Sequence, residues 1–245
     1  AVAPLAHHFG WGPKDYDKLA LGTMTGHMLE CAGQATGGNY ADGGQRVVPD
    51  LDRLGFPIAE VSDEGVIITK THSSGGLVDR HVVRQQLLYE LGDPGDYRTP
   101  DVVMDINGVT AEDLGKDRVR LSGVRGRERP EQLKVLCGVD NGWLGVAEIS
   151  YGGWNAAGRA KLAGEVVTRR LRRDKTASNL PLRVDIIGVN SVFSFGEPNE
   201  EILDARLRFC VRGPDKESAQ TALAEAETLA TNGPAGGGGK TQSLR

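Results

Sequence analysis

The sequence predicts an α/β chain of the α+β kind, in which helices and antiparallel strands are segregated along the chain. Three observations predict it. From Trp143 onward, apolar segments follow one another in the order β–α–β–β–α. The first half instead alternates short helical stretches with one clear hairpin. Finally, glycine makes up 34 of 245 residues, twice the roughly 7% average, while aromatic residues are only 5%. Glycine at that level marks many tight turns and close backbone approaches. Periodic apolar segments between the glycines exclude a low-complexity chain.

Residues 1 to about 40 read as helical. Leu5, Phe9 and Trp11 make a short apolar start. Pro13 suits the first turn of a second helix through Leu19 and Leu21. Thr23 or Thr25 is placed to N-cap a further helix carrying Met24, Met28 and Leu29, ending near Gly33. A polar loop follows to Pro49. Phe56–Val61 and Val66–Thr71 flank Ser62-Asp63-Glu64-Gly65 as a hairpin. Asp79 is the N-cap expected for a helix over Arg80–Leu91, with Val83, Leu87 and Leu91 on one face. Val102–Ile106 and Arg118–Val124 read as strands. Leu133–Val139 and Trp143–Ser150 are expected to form a second hairpin across Asp140-Asn141-Gly142. Asn155–Arg173 is a helix with a basic end, Leu182–Val189 and Leu203–Val211 are strands, and Pro214 or Asp215 opens a last helix through Leu229. The order from Trp143 is a ferredoxin-like plait missing its final strand. Either another segment supplies that strand or the chain is cut short. The expected division is 1–98, a helix and hairpin region, and 99–245, a ferredoxin-like α+β domain with a glycine-rich C-terminal loop.

Composition excludes several function classes. Lys+Arg minus Asp+Glu is 29 − 33 = −4, so no general polyanion surface is implied. Arg118, Arg120, Arg125, Arg127 and Arg129 are dense, but Asp113, Asp117, Glu128 and Glu131 interleave with them and no aromatics accompany them for stacking. Nucleic acid is therefore not an expected partner. No apolar run approaches the ~18 residues of a membrane span, and the N-terminus has neither the basic start nor the apolar stretch of a signal peptide. Three widely spaced cysteines, Cys31, Cys137 and Cys210, make no disulfide framework. A reducing cytoplasm is the expected compartment. Cys137 and Cys210 lie in strand-like apolar runs, where a buried thiol is expected.

Four clusters are candidates for chemistry. His27, Glu30 and Cys31 stand at i, i+3 and i+4 of a helix and share one face. Such a face suits proton transfer by His27 and Glu30, a metal, or simply a polar stripe. Thr69-Lys70-Thr71-His72-Ser73-Ser74-Gly75-Gly76 leaves a strand and enters a helix. Lys70, Ser73, Ser74, Gly75 and Gly76 are candidates for binding a carboxylate or phosphate, the alternative being a plain turn. Thr36, Gly37 and Gly38 form a second Gly-Gly segment with a hydroxyl beside it. Asn232, Gly236 and Gly237 belong to a run, Asn232 to Lys240, that is either a flexible linker or a loop whose backbone touches a ligand or partner chain. No Walker loop and no Gly-x-Ser-x-Gly nucleophile elbow is present. No metal and no resident cofactor is expected.

These strings also carry a family resemblance. Gly26-His27-Met28-Leu29-Glu30-Cys31 with Gln34-Ala35-Thr36-Gly37-Gly38 resembles the acyclic terpene utilization protein family, of the AtuA type. So do Gly55–Val61, Ile68-Thr69-Lys70 with Gly75-Gly76-Leu77-Val78, Gln86–Glu90 followed by Pro100-Asp101-Val102, Leu121–Gly126, and Thr231–Gly239. The resemblance runs nearly the whole length in order. Members of that family usually carry an additional N-terminal α/β domain and continue past the glycine run into a last strand. The resemblance thus implies a fragment that lacks both. It implies a role in branched-acid and acyl-CoA catabolism, with dehydratase-like steps on unsaturated acids among its relatives. The function expected on that ground is a hydro-lyase acting on an unsaturated branched carboxylic acid or its CoA thioester. The alternative is a non-catalytic assembly or binding subunit. The partners expected are a small-molecule carboxylate or acyl-CoA and either a second copy of the chain or a small partner subunit.

Overall fold

The computed structural model describes residues 1–194 and 201–245. They fall into two compact units, Ala1–Leu136 and Cys137–Arg245. The division expected at 98/99 falls inside the first of them. Strands on both sides of it pair there.

In the first unit, α1 (Val2–Phe9) leads to α2 (Tyr16–Glu30). The structure has one helix here where the sequence suggested a break at Thr23 or Thr25. Both threonines instead bond backward along α2: the Thr23 hydroxyl donates to the Leu19 carbonyl (3.0 Å) and the Thr25 hydroxyl to that of Leu21 (2.8 Å). A threonine whose hydroxyl finds the i−4 carbonyl need not cap anything. Met24 and Met28 then fall on the face of α2 that enters the core, and both are fully buried. The hairpin β1 (Ile58–Ser62) and β2 (Gly65–Thr69) forms as its turn residues predict, with Ser62 opposite Gly65. Helix α3 covers only Arg80–Leu87, capped by Asp79, whose carboxylate accepts from the amides of His81 and Val82. The expected extension to Leu91 fails because Glu90 takes a left-handed conformation, φ 55°. The short strands β3 (Tyr97–Arg98) and β4 (Val103–Asp105) follow, then β5 (Thr110–Gly115), β6 (Arg118–Ser122) and β7 (Arg125–Arg127). One antiparallel sheet runs β1-β2-β6-β5 and a second β3-β4-β7. Their core joins Val66, Ile68, Val119 and Leu121 to Met24, Met28, Val83 and Met104.

The second unit contains β8 (Trp143–Gly152), α4 (Ala156–Leu171), β9 (Leu182–Ile187), β10 (Asp204–Gly213), α5 (Lys216–Asn232) and β11 (Gly237–Leu244). The sheet order is β11-β8-β10-β9, antiparallel throughout. The plait is therefore complete, and the expectation of a missing final strand is corrected. The glycine run is neither a linker nor a free loop. Gly237 pairs opposite Tyr151 and Gly238 opposite Ser150, with an irregularity before Thr241 resumes the ladder. The same pairing explains a second correction. Leu133–Val139 forms no strand, because β8 lies between β10 and β11 and has no free edge to offer it. Cys137, expected inside a strand, is accordingly exposed, and Cys210 is half-buried. Helices α4 and α5 lay alanines (Ala156, Ala160, Ala163, Ala222, Ala226) against Ile149, Tyr151, Leu207 and Phe209. Small side chains on the helices let them lie close to a sheet that supplies the bulk. Among the described residues no helix is long and apolar enough to cross a membrane.

Candidate functional site

The last turn of α2 and the end of α3 build a polar cluster in the first unit. His27 is almost wholly enclosed, with 3% of its side chain exposed, while Glu30 keeps 54% of its own in solvent. Their helical spacing puts the His27 Nδ1 2.6 Å from the Glu30 Oε1. The other ring nitrogen, Nε2, lies 3.2 Å from the Leu87 carbonyl at the end of α3. A carbonyl only accepts, so Nε2 carries a hydrogen. The short Nδ1–Oε1 contact couples the imidazole to the carboxylate. The Gln86 side-chain amide donates to the His27 carbonyl (2.7 Å), tying the two helices together at the same point. The Tyr97 ring, on β3, lies 6.1 Å from the imidazole, centroid to centroid. Burial, and then the charges of Glu30 and Glu90, hold the Tyr97 phenol above its ordinary range. Tyr89 is raised mainly by the charge of Glu90 and its hydrogen bond to that carboxylate. The cluster thus joins an exposed carboxylate on a buried histidine to phenols that keep their protons.

Cys31 is half-buried and falls just past the end of α2, as its C-cap. The metal reading finds no support: among the described residues no group of three His, Cys, Asp or Glu is placed to hold an ion.

The two Gly-Gly segments meet elsewhere in the same unit. The Leu77 amide donates to the Thr36 carbonyl (2.8 Å), and the Thr36 hydroxyl donates to the Gly55 carbonyl (2.5 Å). Most of the donors proposed for an anion in these two segments are used within the fold. The amide of Gly75 goes to the Arg53 carbonyl and that of Gly76 to Pro49, while Gly37 and Gly38 bond to Gln34 and Gly33. The Lys70 side chain is buried and its Nζ donates to the Ser74 carbonyl (2.9 Å), 3.5 Å from Asp117. Asp117 in turn accepts from the amide of Val78 (3.0 Å). The Ser74 hydroxyl closes the turn onto the Thr71 carbonyl (2.9 Å). Thr71, His72 and Ser73 stand exposed at the tip of this loop.

Asn232, Gly236 and Gly237 lie in the second unit. The Asn232 carbonyl accepts from Arg170 (2.7 Å), and Arg159 donates to the carbonyls of Ala235 (2.9 Å), Gly152 (2.6 Å) and Trp154 (2.9 Å). These arginines clamp the turn that starts β11.

Over residues 1–245 the sequence matches the family described as acyclic terpene utilisation family protein AtuA. The chain belongs to the AtuA family. No significant match is found among curated proteins. A solved structure with some likeness is the de novo designed protein Ferredog-Diesel, 13% identical, covering 49% of this chain and 99% of its own, with a TM-score of 0.27.

In this AtuA-family chain, spacing alone indicates the His27–Glu30 pair, but not Tyr89, Glu90 or Tyr97. Those three sit in a turn and on a two-residue strand, where no periodicity applies. Tyr89 and Glu90 do fall within the family string Gln86–Glu90, which is the one signal pointing to them.

Proposed function

We propose that this AtuA-family chain is a lyase of the hydratase type, with its acid–base site at His27 and Glu30. The substrate class is an unsaturated branched carboxylic acid, or its CoA thioester, together with the hydrated form. The carrying observation is the 2.6 Å contact between a buried imidazole and a solvent-facing carboxylate, with the imidazole's far nitrogen fixed on the Leu87 carbonyl. A general base must reach the substrate while its orientation is fixed from behind. Glu30 supplies the reach and His27 the fixing.

In the dehydration direction, Glu30 takes the proton from the carbon next to the carboxyl or thioester carbonyl. The pair of electrons released forms the double bond, and the β-hydroxyl leaves as water with a proton from the Tyr97 phenol. Glu30 then loses its proton to solvent and Tyr97 regains one. Hydration runs the same steps backward. Tyr97 enters this step protonated, and the raised pKa that burial and the two neighbouring carboxylates give it makes it a weak acid, which hands over its proton only as the departing hydroxyl becomes strongly basic.

The test is steady-state kinetics on a panel of branched 2-enoyl and 3-hydroxyacyl acids and thioesters. Glu30→Gln is expected to lower kcat by about 10²–10⁴-fold, the usual contribution of a positioned base, with the melting temperature little changed. Full activity in Glu30→Gln overturns the assignment. A wild-type chain silent on the whole panel favours the non-catalytic subunit reading.

A further inference from the structure

The segment that connects the last strand of the first unit to β8 has a strand's sequence and no strand's partner. Leu133 and Val139 are exposed, and Val135 and Leu136 are 76% and 85% exposed. Among the described residues, the backbone of 132–139 makes no hydrogen bond to another segment. Four exposed aliphatic side chains on a bare, strand-prone backbone form a ready template for pairing. The neighbouring strand in sequence, β8, has both edges filled.

We infer that Leu133–Asp140 is a dimerisation strand, and that its partner is the same segment of a second copy of this chain, paired antiparallel about Cys137. The sequence is self-complementary in that register. A two-fold axis through Cys137 sets Val135 opposite Val139 and Lys134 opposite Asp140, so that an apolar pair and an opposite-charge pair each occur twice. Strand alternation places Leu133, Val135, Cys137 and Val139 on one face, making it wholly apolar. A slip of one residue sets Lys134 opposite Val139 and loses the charge pairing. Asp140 already receives the Gly142 amide (3.0 Å), which fixes its carboxylate at the strand end with a second oxygen to offer Lys134. Directly opposed residues of an antiparallel pair have Cα atoms about 4.5–5.5 Å apart, within reach of a disulfide. Cys137, exposed in the single chain, therefore reports the register.

A two-stranded ribbon is marginal by itself, so the association should depend on concentration. Light scattering across a micromolar dilution series of the full chain, in reductant, should show the mass rising from 26.2 kDa toward twice that value. Val135→Asp, at an exposed position, should leave a folded chain, checked by circular dichroism, that stays monomeric over the series. Lys134→Glu and Asp140→Lys should each weaken the dimer several-fold, and the double exchange should recover it relative to either alone. In a chain with Cys31→Ser and Cys210→Ser, diamide should convert the dimer to a Cys137–Cys137 disulfide. A mass that stays at one chain throughout overturns the inference. So does a dimer indifferent to Val135→Asp, or a double exchange that recovers nothing.

Discussion

Phe209→Ala is expected to destabilise the second unit by about 3–5 kcal/mol, the usual cost of emptying a buried aromatic site. Phe209 is fully buried on β10, on the face that α4 and α5 cover. The helices meet it with alanines, which have no rotamers with which to fill the hole. Relaxation must then come from the helix backbones, and these are held by their other contacts. For a unit of this size the loss should lower the melting temperature by more than about 10 °C. Trp154→Ala is the comparison, since Trp154 is 71% exposed. A surface change of that kind should stay within about 0.5 kcal/mol. Equal effects from the two would contradict the packing described for this sheet.

The second large effect is at Gly76. Its φ of +100° disfavours any L side chain, and a Cβ there would lie 2.5 Å from the Thr36 carbonyl oxygen. That oxygen cannot withdraw freely, because it accepts the Leu77 amide. Gly76→Ala should therefore add an overpacking cost of about 1–3 kcal/mol to a conformational cost of about 1–2 kcal/mol. Gly44→Ala separates the two terms, since Gly44 has φ +89° with nothing within 4 Å of its would-be Cβ. Chemical denaturation of both variants measures the difference. If Gly76→Ala costs no more than Gly44→Ala, the close approach of the two Gly-Gly segments is wrong.

How much of this was legible follows from where each element gets its identity. The α+β class and the order β8–α4–β9–β10–α5 are written in local apolar periodicity, and the structure has them. The His27–Glu30 pair is legible because helical spacing alone brings i and i+3 together. The two ends of the plait are not legible for a common reason. Gly237–Gly239 have no side chains to mark a strand and become one because β8 has an edge to fill. Leu133–Val139 have the side chains and remain unpaired because no edge of β8 is left. Thr23 and Thr25 misled in a smaller way, since a threonine that caps a helix and one that bonds back inside it look alike in sequence. The loop at 70–76 shows a further limit. Lysine, hydroxyls and glycines leaving a strand describe an anion cradle and a tightly closed turn equally well. Only the hydrogen bonds reveal that Lys70 and the glycine amides are already used. Tyr97 joins the candidate site through a fold-level contact with His27 across 70 residues of chain, which no local pattern encodes.

The most direct test of the acid–base proposal does not require the complete reaction. Wild-type chain is incubated in D2O with branched carboxylic acids and their CoA thioesters, and deuterium entering at the carbon next to the carbonyl is followed by NMR. Exchange by the wild type that falls by about 10²-fold or more in Glu30→Gln is the predicted result. Exchange that persists unchanged in Glu30→Gln would contradict it, since the proton would then be moving through some other group.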